Sequence, residues 1–295
     1  MIIRLGILAL GLLVFGAFAS NARADHSWGS YHWPRDVNPV TLQVIDSVVG
    51  DWEPIFAASL GQWGNYEAAK SAHPDPNPAP GGSFYYGVSA DFSEPDASDD
   101  SLDFSDGGTD EGSRARKRCK AVEGKIRVCN AAYGQNGWLG MASIAVQNDH
   151  IIAGTAKVND SYDWYFAAYP DEKPHVMCQE IGHLFGLGHT SEDGTSQKTC
   201  MDYSSDAQSV TPNAHDFEQL LEIYTHADDS AGAPTEPDPS PCPPRKKNCN
   251  RLGGPQVPPM GYRVHKGSNH EIWVARGPNN TLWIHHIRLI PEQYR

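Results

Sequence analysis

The sequence predicts an α+β fold, on three observations. Residues 41–48 (TLQVIDSV) are rich in β-branched side chains and mostly alternate, the period of a strand with one buried face. The next segment, 51–66, sets Trp52, Ile55, Phe56, Leu60 and Trp63 on one helical face, with Asp51 as the expected N-cap. Downstream, strand patterns at 83–92, 124–130 and 151–158 and an apolar run at 141–146 are followed by two helical patterns. One covers 175–187, preceded by Pro174 and broken at Gly186 and Gly188; the other is capped by Thr211 with Pro212 at its first position and runs through Phe217, Leu220, Leu221 and Tyr224. Strands this short do not by themselves dictate the order of a sheet.

The first residues read as an export signal. Arg4 precedes an apolar run over 5–19 and a small-residue ending up to Ala24. The run is shorter than the ~20 apolar residues a spanning helix needs. Cleavage after Ala24 is expected, giving a secreted chain, extracellular or periplasmic, with no membrane attachment once 1–24 is removed. Residues 25–230 are expected to form the main domain, 231–259 a proline-rich linker, and 260–295 a small β-hairpin extension. The hairpin rests on the alternating runs 271–275 and 281–285 joined by Gly277-Pro278-Asn279-Asn280. A net charge of −13 argues against a nucleic-acid partner and is compatible with a polypeptide substrate.

Six cysteines in an exported chain suggest disulfides, and their spacing suggests three local pairs: Cys119 with Cys129, Cys178 with Cys200, Cys242 with Cys249. Residues 73–82, dense in proline and glycine, form a loop. The acidic run 91–112 has two readings, a solvated mobile insertion or a Ca2+ loop built from carboxylate oxygens. The basic run 114–118 either offsets that charge or is a protease-sensitive tip.

The chemistry is concentrated in Gln179-Glu180-Ile181-Gly182-His183 and the residues up to His189. Positions 179 and 183 are four apart, so their Cβ atoms lie roughly 5–6 Å apart on one helical face, with Glu180 beside them. Gly186 lets the chain turn, and His189 can swing back to complete a three-ligand site. Three protein ligands with a fourth position for water is the arrangement of catalytic zinc. A zinc ion held there would lower that water's pKa to about 7, and Glu180 would take its proton.

Glu180, His183, Gly186 and His189 match the long zinc signature of the metzincin peptidases, H-E-x-x-H-x-x-G-x-x-H, which this segment resembles. Cys200-Met201-Asp202-Tyr203 resembles the family's methionine turn. Over residues 41–226 the arrangement is matrixin-like. The resemblance implies a zincin-like catalytic domain: a mixed, mostly parallel twisted sheet above the zinc helix, a C-terminal helix below, and a monomeric zinc endopeptidase. It also implies two readings of Tyr203, a residue that approaches the metal to stabilise the transition state or an ordinary packed tyrosine.

The departure is Gln179, where the first zinc-binding histidine is expected. Its carbonyl oxygen has the reach to coordinate zinc but is a poorer donor than imidazole. A metal set of Gln179, His183 and His189 is therefore expected to hold Zn2+ weakly. A catalytically inactive, secreted binding protein of the same fold is the alternative. A Cys178–Cys200 bridge would clamp the zinc helix to the methionine turn, worth about 3 kcal/mol in the chain-entropy model. His265, His285 and His286 lack ligand spacing and read as exposed strand residues; His215 and Asp216 cap the last helix or pack near the site.

Overall fold

The computed structural model describes residues 26–35, 40–64, 102–224, 228 and 260–295. The export signal, the strand at 83–92, the loop at 73–82, the linker and the Cys242–Cys249 pair lie outside the described residues, as does the start of the acidic run. Among the described residues no helix is long and apolar enough to cross a membrane.

The chain forms one eight-stranded mixed sheet with a few helices. Strand β1 (Val40–Ser47) buries Val40, Leu42 and Val44 and exposes Thr41 and Gln43, the alternation seen in its sequence. Helix α1 (Glu53–Trp63) starts one residue later than an N-cap at Asp51 implied. Residues Gly50–Trp52 form a 3-10 turn, and the carboxylate that accepts a first-turn N–H is that of Glu53, 2.9 Å from Gly50 N. Strand β2 (Leu102–Thr109) comes from the acidic run and pairs in parallel with β1. Asp106 accepts from Gly108 N, and Asp110 faces Arg127 at 3.6 Å. The basic run is a short helix, α2 (Ser113–Arg118).

Strands β3 (Lys125–Ala131), β4 (Trp138–Gln147) and β5 (His150–Asn159) follow, then the short helix α3 (Asp163–Ala168). Helix α4 (Glu172–His183) begins three residues before His175, with Pro174 in its first turn, where a missing N–H costs nothing. Helix α5 (Ala214–Ile223) is capped by Asn213, not Thr211. Asn213 and Asp216 exchange side-chain and backbone bonds in a capping box, which satisfies two first-turn N–H groups at once. The tail adds β6 (Tyr262–Lys266), β7 (His270–Arg276) and β8 (Leu282–Leu289). The β7–β8 turn falls at the expected place, with Asn279 and Asn280 in the left-handed region that asparagine tolerates.

The strand order is β2-β1-β3-β5-β4-β8-β7-β6. The β1–β2, β1–β3 and β3–β5 pairs are parallel; the β4–β5, β4–β8, β7–β8 and β6–β7 pairs are antiparallel. The expectation of a mostly parallel sheet is thus corrected, because the tail continues the sheet from β4. With neighbours on both sides β4 is a central strand, buried along nearly its whole length, which accounts for its unbroken apolar run.

The main core lies between the sheet and helices α1, α4 and α5. Trp63, fully buried, donates its Nε1–H to Cys178 O at 3.1 Å and ties α1 to α4. Met201 lies under α4: a Cβ added at Gly182 would sit 2.6 Å from Met201 Sδ and 2.6 Å from Trp63 Cζ2. Gly182→Ala therefore overpacks this contact. The clash costs about 1–3 kcal/mol, offset in part by roughly 1 kcal/mol of helix propensity. A net loss of up to about 2 kcal/mol is expected in denaturant unfolding, and a stabilised variant would contradict this packing.

Candidate metal and acid–base site

Helix α4 directs His175, Gln179 and His183 along one face, with Glu180 beside them, and all four are buried. The helix ends at His183, and the chain turns at Gly186, whose φ of +93° and close approach to Tyr31 O admit no side chain. His189 then returns to the helix, its Nε2 3.0 Å from His183 Nε2. The Nδ1 of His183 lies 2.8 Å from Leu187 O, so Nδ1 carries the proton and Nε2 presents a lone pair. His189 Nδ1 is 3.4 Å from Glu192 Oε1, the same orientation. Burial holds the His183 pKa down to about 3 and the His189 pKa well below the usual imidazole value. Both rings are neutral donors aimed at one point.

Tyr203 follows the turn at Cys200–Met201 and packs against His189. Its hydroxyl lies 2.8 Å from His189 Nε2, and burial pushes its pKa well above the usual phenol value. The Cys178–Cys200 disulfide forms and joins α4 to that turn; Cys119–Cys129 forms as well. Glu180 is 1 % exposed, and neither carboxylate oxygen has a hydrogen-bond partner of ordinary geometry. Its carboxyl lies against the β4 backbone, so close to Gly140 that a Cβ there would collide with Oε1. Desolvation raises the Glu180 pKa well above the usual carboxylate value, against the weaker opposing pull of Arg288 and the Ala142 backbone.

The amide of Gln179 is committed at both ends. Its Nε2 donates to Asp202 O at 3.0 Å, and its Oε1 accepts from Arg288 Nη1 at 2.9 Å. His175 shares the same partners: Nε2–H donates to Asp202 O at 2.9 Å and Nδ1 accepts from Arg288 at 3.3 Å. Arg288 also reaches Glu172 Oε2 at 3.0 Å and lies over the Tyr203 ring. Burial opposes its charge, but Glu172 and the other neighbours outweigh that and raise its pKa.

His285 and His286 are not exposed strand residues. Each is at least 97 % buried, with 0 % and 3 % of its surface accessible. Because β8 pairs with β4 in the register Ala142↔His286 and Gly140↔Arg288, alternate residues of β8 face the helix. Ile284, His286 and Arg288 point toward α4, while His285 turns the other way, Nδ1 2.7 Å from Ser143 Oγ. His286 Nδ1 lies 3.2 Å from His183 Nε2, and Trp28 packs edge-on against the His286 ring. The donor atoms of His183, His189 and His286 all lie within 4.8 Å of one another. His270, from β7, stacks on Tyr203 and pairs with Glu192 at 3.2 Å, whereas His265 is exposed as expected. The signal in the sequence was strand parity, since Ile284-x-His286-x-Arg288 puts two polar residues on the same face as Ile284.

Asp216 completes the α5 cap and lies 3.3 Å from His26, on which His215 stacks. No family model, curated protein or solved structure matches the chain.

Proposed function

We propose that this chain is an exported, zinc-dependent endopeptidase of metzincin type. The observation that carries the reading is a pair of imidazole nitrogens 3.0 Å apart, with a buried carboxyl group on the same helix that has no hydrogen-bond partner of ordinary geometry. Two lone pairs at that separation repel unless a cation or a ring proton lies between them. Nitrogens around a tetrahedral zinc with bonds of about 2.0–2.1 Å lie about 3.3 Å apart, so the donor set fits that ion. His183 and His189 would hold it; when bound, the metal polarises the scissile carbonyl and acidifies water.

The chain's own residues do the rest. Leu187 O and Glu192 orient the two rings from behind. Glu180 takes a proton from the attacking water and returns it to the leaving amine. Tyr203, kept a phenol by burial, is a hydrogen-bond donor for the oxygen that gains charge. A purely structural metal site has no use for a buried, unpartnered carboxyl such as Glu180.

A second reading, a metal-holding protein without turnover, is favoured by the closure of the site. Strand β8 occupies the side of β4 along which an extended peptide would otherwise pair. The test is direct. The chain loaded with zinc is expected to cut an unfolded protein substrate, to stop on addition of a chelator, and to recover when zinc is restored. A chain that retains zinc and cuts nothing belongs to the second reading.

A further inference from the structure

We infer that the third metal ligand is His286, supplied by the C-terminal strand β8, and that Gln179 is a positioning residue for Arg288 and not a ligand. This rests on the reading that His183 and His189 bind a metal, and it names the rest of that coordination sphere.

Three observations carry it. His286 Nδ1 is 3.2 Å from His183 Nε2, close to the separation of about 3.3 Å expected between nitrogens on one tetrahedral zinc. A third imidazole gives the nitrogen-rich set that borderline-soft zinc prefers over an amide oxygen. Both ends of the Gln179 amide are already used, and its oxygen accepts from a buried guanidinium. A cation on that oxygen would sit beside a full positive charge in a poorly solvated setting, which is unfavourable.

The placement of His286 is built into the fold. Pairing of β8 with β4 runs from Trp138↔Leu289 to Val146↔Leu282, and Ala142↔His286 falls in the middle of it. Arg288, two residues on and facing the same side, holds Gln179, His175 and Glu172 together. A glutamine at 179 and a histidine at 286 are thus two parts of one arrangement. The tail donates the imidazole that the helix lacks, and the helix position it replaces is used to anchor the tail.

The test uses the full exported chain and zinc alone, with affinity measured by competition against a chromophoric chelator. His286→Ala and His183→Ala are each expected to weaken zinc binding by more than about 100-fold, beyond the range for losing a group that only orients a ligand. Gln179→Ala, which removes only a group that positions Arg288, is expected to weaken zinc binding by less than about 100-fold. X-ray absorption of the zinc-loaded parent, which requires no variant to fold, is expected to count three imidazoles.

An intact affinity in folded His286→Ala, or a spectrum with two imidazoles and an amide oxygen, overturns the assignment of His286 while leaving the metal reading in place. A loss of more than about 100-fold in Gln179→Ala with the parent's fold retained does the same. A parent chain that binds no zinc, or a folded His183→Ala as tight as the parent, overturns both.

Discussion

Replacing Glu180 by glutamine is expected to abolish peptide hydrolysis and, in the metal-free chain, to raise stability at neutral pH. The first effect is the loss of a positioned general base, typically a factor of 10²–10⁴ in rate. The second follows from burial. The carboxylate is 1 % exposed with no hydrogen-bond partner, so its charged form is disfavoured in the folded state and its pKa stands well above that of an unfolded glutamate. Below about pH 4 the group is protonated in both states and contributes no penalty. As pH rises past that value the unfolded chain releases the proton and the folded chain keeps it, so stability falls with pH until the folded pKa is passed. Glutamine has no such proton to release. Denaturant midpoints measured with chelator present at pH 4 and pH 8 should therefore converge at the lower value and separate at the higher, with Glu180→Gln the more stable. Equal midpoints at pH 8 would mean that the carboxylate has found solvent or a partner and is not the strained, poised base inferred for it.

What was legible in the sequence was what local pattern controls. Strands β1, β3 and β5, helix α4, the Cys178–Cys200 bridge and the β7–β8 hairpin all follow from periodicity, turn chemistry or spacing. The motif left Tyr203 between two readings, and the contact of its hydroxyl with His189 comes from the fold. The misplaced boundaries have local causes. Thr211 is an acceptable cap, but only Asn213 has Asp216 three residues on to answer it. Asp51 lost to Glu53 because a 3-10 turn intervenes before the helix. The larger omission was of a different kind. No pattern within 282–289 says that β8 will lie against β4, more than a hundred residues earlier, because a strand's period gives the faces it presents and not the neighbour it chooses. Once that neighbour is known, the alternation decides that His286 and Arg288 face α4 and His285 does not. The bland reading of the histidine pair failed at that long-range step. The choice of Gln179 as metal ligand depended on the same step, since its bond to Arg288 comes from the tail.

Arg288→Met is the substitution expected to cost most in stability. The guanidinium has 5 % of its side chain exposed and Glu172 has 12 %, so their 3.0 Å pair is held largely out of water. Removing one partner of such a pair leaves the other charge buried without compensation, a loss of about 3–5 kcal/mol. For a domain of this size that corresponds to a fall of roughly 10 °C in melting temperature. Gln179 and His175 lose a donor in the same stroke. Lysine is not expected to rescue the site, because a point ammonium cannot reach Glu172 and Gln179 in the planar geometry of a guanidinium fork. A double-mutant cycle separates the charge pair from the rest. Glu172→Gln in the Arg288→Met background should cost less than in the parent, since the carboxylate there has already lost its counter-charge. If the two losses simply add, the pair is not coupled, and what Arg288 adds to the ladder that already holds β8 on β4 comes from its charge-assisted bonds to Gln179 and His175.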